Sequence, residues 1–154
     1  MYVIYHGTGR SIVGSLATKI HINGFNHNQV NQLLDDNGIY NLYSIERQAI
    51  GRLVFLGIDE NKNQVFLLNT ASAETIIIPA LLSVFELHKV DKKNVYLVDT
   101  TPIVDSYFVL GNLFMGISFL RSVGVRLLTA GARRQHSKII SILDRTRIMT
   151  ANKN

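Results

Sequence analysis

The stretch Val3-Ile4-Tyr5-His6-Gly7-Thr8-Gly9-Arg10-Ser11-Ile12-Val13-Gly14-Ser15-Leu16-Ala17 decides how this chain folds. Val3, Ile4 and Tyr5 form a short apolar run that reads as a strand. It stops at a glycine-containing polar loop, His6 to Ser11. Ile12, Val13, Leu16, Ala17 and Ile20 then recur at helical spacing until Asn23-Gly24 ends the helix. Strand, glycine loop and helix in immediate succession open an α/β unit.

Outward from that unit the pattern continues. Residues 25–50 are polar and asparagine-rich, with Val30, Leu33, Leu34, Ile39, Leu42, Ile45 and Ile50 predicting one or two short helices joined by turns. Leu53–Leu56 and Gln64–Leu68 flank the polar cluster Asp59–Asn63 and predict a β-hairpin. Thr75–Leu87 reads as a helix with Pro79 in its early turns, and the uniformly apolar Asn94–Val98 as a central strand. Val104–Arg121 follows as a helix or a broken pair of helices. Gly124–Thr129 reads as a fifth strand and Arg133–Thr146 as the last helix. The expected fold is α/β: a mixed, mostly parallel sheet of about five strands with helices on both faces and one hairpin insertion. Residues 1–150 are expected to form one domain, with 151–154 a frayed tail.

A length of 154 residues suits a single hydrophobic core. The chain is 47% apolar and 18% charged with two prolines, which excludes a disordered or collagen-like chain. Absence of cysteine excludes disulfides, thiolate nucleophiles, iron–sulfur clusters and thiolate-bound zinc. Net charge is +5, and from Arg121 onward eight Lys/Arg face one acid, Asp144. Such a cationic segment attracts anionic ligands or surfaces, or is the solvated face of a helix. The N-terminus has no signal-peptide pattern, and the uncharged run Ser106–Leu120 is shorter than a membrane span. A cytoplasmic protein without a transmembrane segment is expected.

Tyr5-His6 with its glycine loop, Gly57-Ile58-Asp59-Glu60-Asn61, Pro79-Ala80-Leu81 and Leu97-Val98-Asp99-Thr100-Thr101-Pro102 resemble a bacterial family, the domain of unknown function numbered 3189. The resemblance runs through nearly the whole chain, and the Val-Asp-Thr-x-Pro element is its most specific part. It implies an uncharacterised protein of endospore-forming Firmicutes, with a place in sporulation. The family's first loop reads His-Cys-Tyr-Gly-Gly-Thr-His-Ser-Ser and is similar to the phosphate loops of low-molecular-weight tyrosine phosphatases and phosphotransferase subunits. Here Gly7 stands at the cysteine position, Arg10 at the second glycine, and Ile12, Val13 and Gly14 where the family has His-Ser-Ser. A nucleophile and most hydroxyls of that loop are therefore missing from this chain.

In an open α/β sheet, ligands settle beyond the carboxyl ends of the strands, where helix N-termini present amides. Three predicted strand ends meet that description: His6 to Ser11, Asp99 to Thr101, and Thr129 to Arg134. Together they predict an anion or phosphate crevice bound by Gly7, Thr8, Gly9, Arg10, Ser11, Thr100, Arg133 and Arg134. Glycines allow close backbone approach, Ser11 caps the helix, and arginine grips two phosphate oxygens. The loop lacks the Walker A lysine and the third glycine of the dinucleotide fingerprint, so no cofactor is implied. Without a ligand, the same residues make a tight turn and a helix cap.

His6 is the candidate nucleophile or general base and Asp99 its orienting partner; otherwise His6 is a hydrogen-bonded core histidine and Asp99 caps the turn before Pro102. Metal binding is not expected, because His21, His27, His88 and His136 are widely separated. The primary expectation is a non-catalytic binding or regulatory protein. A phosphoryl-transfer or phosphate-ester enzyme using His6 is the first alternative, and a homodimer through the apolar stretch 107–120 the second. Nucleic acid ranks third as a partner, because the aromatic residues are not interleaved with Lys/Arg.

Overall fold

The computed structural model describes residues 1–24 and 27–151, with the backbone alone for 27–29. Residues 152–154 of the expected frayed tail lie outside the described residues. In chain order the elements are β1 (Tyr2–Gly7), α1 (Val13–Asn23), α2 (His27–Leu33), α3 (Asp36–Gln48), β2 (Leu53–Ile58), β3 (Gln64–Asn69), α4 (Glu74–Leu87), β4 (Val95–Asp99), α5 (Ser106–Met115), α6 (Arg121–Arg134) and α7 (His136–Ala151). The strands form one open sheet in the order β2-β3-β1-β4, with β1 parallel to both neighbours and β2 antiparallel to β3. The architecture is mixed α/β, with the hairpin at one sheet edge.

Register divides the sheet into two unlike faces. Val3, Tyr5, Val65 and Leu67 share one face and are fully excluded from solvent. Over them lies α1, which buries Val13, Leu16, Ala17 and Ile20, with α3 and α7 packed beside it. On the other face Tyr2, Phe66 and Phe55 stack as a row of rings 5.3–6.0 Å apart, and Phe85 of α4 adds a fourth at 5.4 Å from Tyr2. No residue of α4 is fully buried, and Ile76 and Leu87 are 71% and 81% exposed.

One predicted element is overturned. Residues 124–129 lie inside α6, so the sheet has four strands, two of its three pairings being parallel. A short apolar run flanked by glycines reads equally as strand or as buried helix. The surroundings decide: Gly124, Val125, Leu128, Gly131 and Ala132 are buried at helical spacing and face α5. Glycine makes the contact close, since a Cβ on Gly124 would stand 2.8 Å from the Met115 backbone nitrogen and one on Gly111 2.8 Å from Leu128 Cγ. Arg133 and Arg134 consequently end α6 instead of opening the last helix after a strand.

The hairpin turn is locked into the core. Asp59 Oδ1 accepts from the backbone amides of Asn61 (2.9 Å) and Asn63 (2.8 Å), which shapes the turn. Asp59 Oδ2 accepts from Asn63 Nδ2 at 2.9 Å and pairs with His21 Nε2 at 3.0 Å. The Tyr5 hydroxyl donates to the other imidazole nitrogen, Nδ1, at 2.5 Å. Burial lowers the His21 pKa, against the pull of Asp59, so the ring is neutral, accepting at Nδ1 and donating at Nε2. Burial opposes the Asp59 charge, but the bonds from Asn63 and His21 outweigh it and its pKa lies below the ordinary value. A buried tyrosine–histidine–aspartate chain thus ties β1, α1 and the hairpin together.

Candidate functional site at the carboxyl edge of the sheet

Adjacent parallel strands β1 and β3 send their chains to opposite faces: β1 leads to α1 on one side and β3 to α4 on the other. Their carboxyl ends are therefore a topological switch point, the place where open α/β sheets bind ligands. The loops that leave it are 8–12 after β1 and 70–73 after β3. In the second loop Ala71 (φ 48°) and Ser72 (φ 68°) are consecutive left-handed residues.

Hydrogen bonds stitch these ends together and account for several predicted site residues. Thr100 donates both its amide and its hydroxyl to the His6 carbonyl, each at 2.8 Å, and Thr70 does the same to the Gly7 carbonyl at 2.9 Å. Gly7 is needed for this closeness, because a Cβ there would stand 2.5 Å from Thr100 Oγ1. Gly9 (φ 70°) lies against Asn69, whose carboxamide a Cβ would overlap. Asn69 in turn donates to the Glu46 carbonyl at 3.2 Å and accepts from the Ala71 amide at 2.9 Å. Ser11 Oγ accepts from the Val13 amide at 3.2 Å, a local turn bond; the residue at the cap position of α1 is Ile12, and no side chain caps the helix, contrary to the role expected of Ser11.

The first turn of α1 is closed. Ser11 through Thr18 are all buried, and the Glu46 carboxylate of α3 accepts from the Ser15 amide at 2.8 Å. Gly14 makes room, as a Cβ there would meet Glu46 Oε1 at 3.0 Å. Burial pushes the Glu46 carboxyl up to about 7, with the Ser15 bonds opposing. The positive end of α1 therefore already carries an acceptor from the chain itself. Ahead of it, Thr8, Gly9 and Arg10 reach the surface. Among the described residues, the backbone amides of Thr8, Gly9, Arg10, Ser11 and Ile12 make no hydrogen bond, and the exposed Arg10 makes neither a hydrogen bond nor an ion pair.

His6 and Asp99 are register partners across β1 and β4, on the α4 face. Asp99 Oδ1 accepts from the Thr101 amide at 2.8 Å, capping the turn. Glu74, the first residue of α4, joins them: one ligand atom from each of His6, Glu74 and Asp99 lies within 4.8 Å of the others. Burial lowers the His6 pKa, with Asp99 and Glu74 pulling it back up. His6 Nδ1, Glu74 Oε2 and Thr101 Oγ1 are buried without a hydrogen-bond partner. Nothing in the sequence marks Glu74 as a partner of His6. It is 68 positions from His6, and only the crossover from β3 brings it there; an acid opening a helix signals nothing more than a favourable helix end.

Arg133 and Arg134 lie elsewhere in their bonding. Arg134 stacks over the Tyr107 ring at 5.5 Å, and Arg133 lines a groove with Leu34, Asp36, Arg126 and Thr129. Neither forms a hydrogen bond or ion pair with the loop among the described residues. A groove of about 730 Å³ runs along α7 past Ile140, Asp144 and Ile148 and shares no residue with the sheet edge. On α5 and the turn after it, Leu110, Leu113 and Phe119 are exposed, while Phe108, Gly111 and Met115 are buried against the rest of the protein. No helix among the described residues is long and apolar enough to cross a membrane.

The family model described as "Protein of unknown function (DUF3189)" matches residues 2–148, and the chain belongs to that family. No curated protein and no solved structure matches it.

Proposed function

We propose that this DUF3189 protein binds a small anionic, phosphate-bearing ligand, without a covalent step, in the crevice between the ends of β1 and β3. The observation that carries this reading is the run of five amides from Thr8 to Ile12 that have no acceptor among the described residues. Backbone N–H groups in and near a protein interior need acceptors, and successive ones form a concave nest suited to an oxyanion. Arg10, exposed beside them, supplies a planar fork for two phosphate oxygens. Gly9 admits the ligand close to the backbone. Thr8 lines the rim; Gly7, Ser11 and Thr100 hold the frame; Arg133 and Arg134 are not needed. Such a site suits a regulatory protein of the cytoplasm that senses a phosphorylated metabolite.

Calorimetric titration with inorganic phosphate and with nucleoside phosphates tests it. Arg10→Ala is expected to weaken binding about tenfold or more, a loss of roughly 1.4 kcal/mol. Failure of every such anion to bind the wild-type protein at millimolar concentration overturns the reading.

A second reading, phosphate-ester hydrolysis with His6 as base or nucleophile and Asp99 orienting it, is favoured by the unpartnered His6 Nδ1 at the same edge. Turnover of a generic phosphoester that vanishes in His6→Ala supports it; ligand binding with no turnover in the wild type removes it. A homodimer through residues 107–120 is favoured by Phe119, 84% exposed, and Leu113, 58% exposed. Light scattering that shows a monomer at every concentration removes that reading.

A further inference from the structure

We infer that His6, Glu74 and Asp99 form a binding site for a first-row divalent metal ion on the α4 side of the sheet edge. The site goes beyond the anion-binding reading and does not rest on it.

Three observations converge. The first is geometric: an imidazole nitrogen and two carboxylate oxygens, from β1, α4 and β4, lie within 4.8 Å of one another. Tetrahedral ligands about 2.1 Å from one ion stand about 3.4 Å apart, so the side chains close by at most about 1.4 Å, which the exposed Asp99 can supply. The second is the state of the atoms. His6 Nδ1 and Glu74 Oε2 are buried with no hydrogen-bond partner, an arrangement that costs free energy unless something fills it. Asp99 spends Oδ1 on the Thr101 amide and keeps Oδ2 for another partner. The third is charge. Neither Glu74 nor Asp99 belongs to any ion pair among the described residues, so no side-chain cation balances these two carboxylates.

Donor chemistry narrows the ion. One imidazole with two carboxylates and no sulfur suits Zn²⁺, Mn²⁺ or Fe²⁺ rather than copper(I), and the nitrogen disfavours Ca²⁺ and Mg²⁺, which prefer all-oxygen shells. Three protein ligands leave coordination positions open, as at a site where the ion meets water or a ligand rather than serving only to brace the fold. The register pairing of His6 with Asp99 sets two ligands side by side on adjacent strands, and the β3–α4 crossover delivers the third.

Titration of the full chain with Zn²⁺ and with Mn²⁺ in the absence of phosphate tests the site, read by calorimetry and by the rise in melting temperature. One ion per chain is expected. Asp99→Asn and Glu74→Gln should each weaken binding by about tenfold to a hundredfold. His6→Ala should abolish the shift, while His88→Ala and His136→Ala, which remove histidines outside the site, should change nothing. Asp99 is exposed, so its variant is expected to fold as the wild type does, which circular dichroism checks. Unaltered metal affinity in folded Asp99→Asn and Glu74→Gln overturns the assignment, as does failure of the wild type to bind either ion below millimolar concentration. Phosphate titration of the metal-free protein tests the anion nest separately: metal binding without phosphate binding sinks that reading and leaves this one standing.

Discussion

Glu46 Oε2 accepts a hydrogen bond from the Ser15 amide at 2.8 Å, so a buried carboxylate of α3 sits at the N-terminal turn of α1. Anions favour such positions, and here the chain provides one of its own. Its burial is costly when charged, and this makes stability depend on pH.

Glu46 carries a raised pKa, about 7 against an ordinary 4.5, so the folded state holds its proton over a range where the unfolded chain has lost it. Its contribution is fully present below about pH 4.5 and declines as pH rises to about 7. In Glu46→Gln the carboxamide oxygen still accepts from Ser15 without the charge. The variant is expected to gain on the wild type between these limits and to be about 3 kcal/mol more stable above pH 7. Urea unfolding at pH 5 and pH 8 measures the difference; equal gaps at both values contradict it.

His21 predicts the opposite slope. Its folded pKa is lowered below 6.5, so below that pH the unfolded chain binds a proton that the folded state refuses, and stability falls as pH falls. His21→Ala should flatten this acid limb. It should also cost about 3 kcal/mol at neutral pH, by removing a hydrogen-bond partner from both Tyr5 and Asp59 and opening a cavity. Tyr5→Phe, which strands only Nδ1, should cost about 1 to 2 kcal/mol. Unfolding curves for both variants decide this, and a neutral His21→Ala would show that the chain of three side chains contributes nothing.

Gly9→Ala puts a methyl group into the Asn69 carboxamide at a backbone angle of +70°. The expected loss is about 2 kcal/mol or more of stability, together with weakened phosphate binding. Chemical denaturation and calorimetry on one preparation read both effects.

Gly124→Val forces a side chain against the Met115 backbone nitrogen, 2.8 Å from the added Cβ. Were residues 124–129 a strand, valine would be favourable; in the α5–α6 contact it should cost about 2 kcal/mol. The sign of the change in melting temperature distinguishes the two.

Legibility in the sequence followed the range of the forces involved. The β1–loop–α1 unit, the hairpin and β4 were readable because their apolar periodicity and turn residues act between near neighbours. The segment 124–129 was not, because Gly124 and Gly131 mark a close approach to Met115 and Tyr107 of the preceding helix rather than the ends of a strand. Asp99 as a turn-former is visible for the same local reason. Glu46 at the start of α1 and Glu74 beside His6 were invisible, since each meets its partner across tens of residues.

Sequence by itself determined the α/β class, the family, the glycine loop after the first strand and the placement of His6 and Asp99 at strand ends. Tertiary structure alone decided that β1 pairs with both β3 and β4, which sets His6 beside Asp99 and brings the loops at 8–12 and 70–73 to one edge of the sheet. The reason is physical: periodicity and turn chemistry are written into neighbouring residues, whereas which buried polar atoms meet, and which are left without a partner, depends on how separate elements pack.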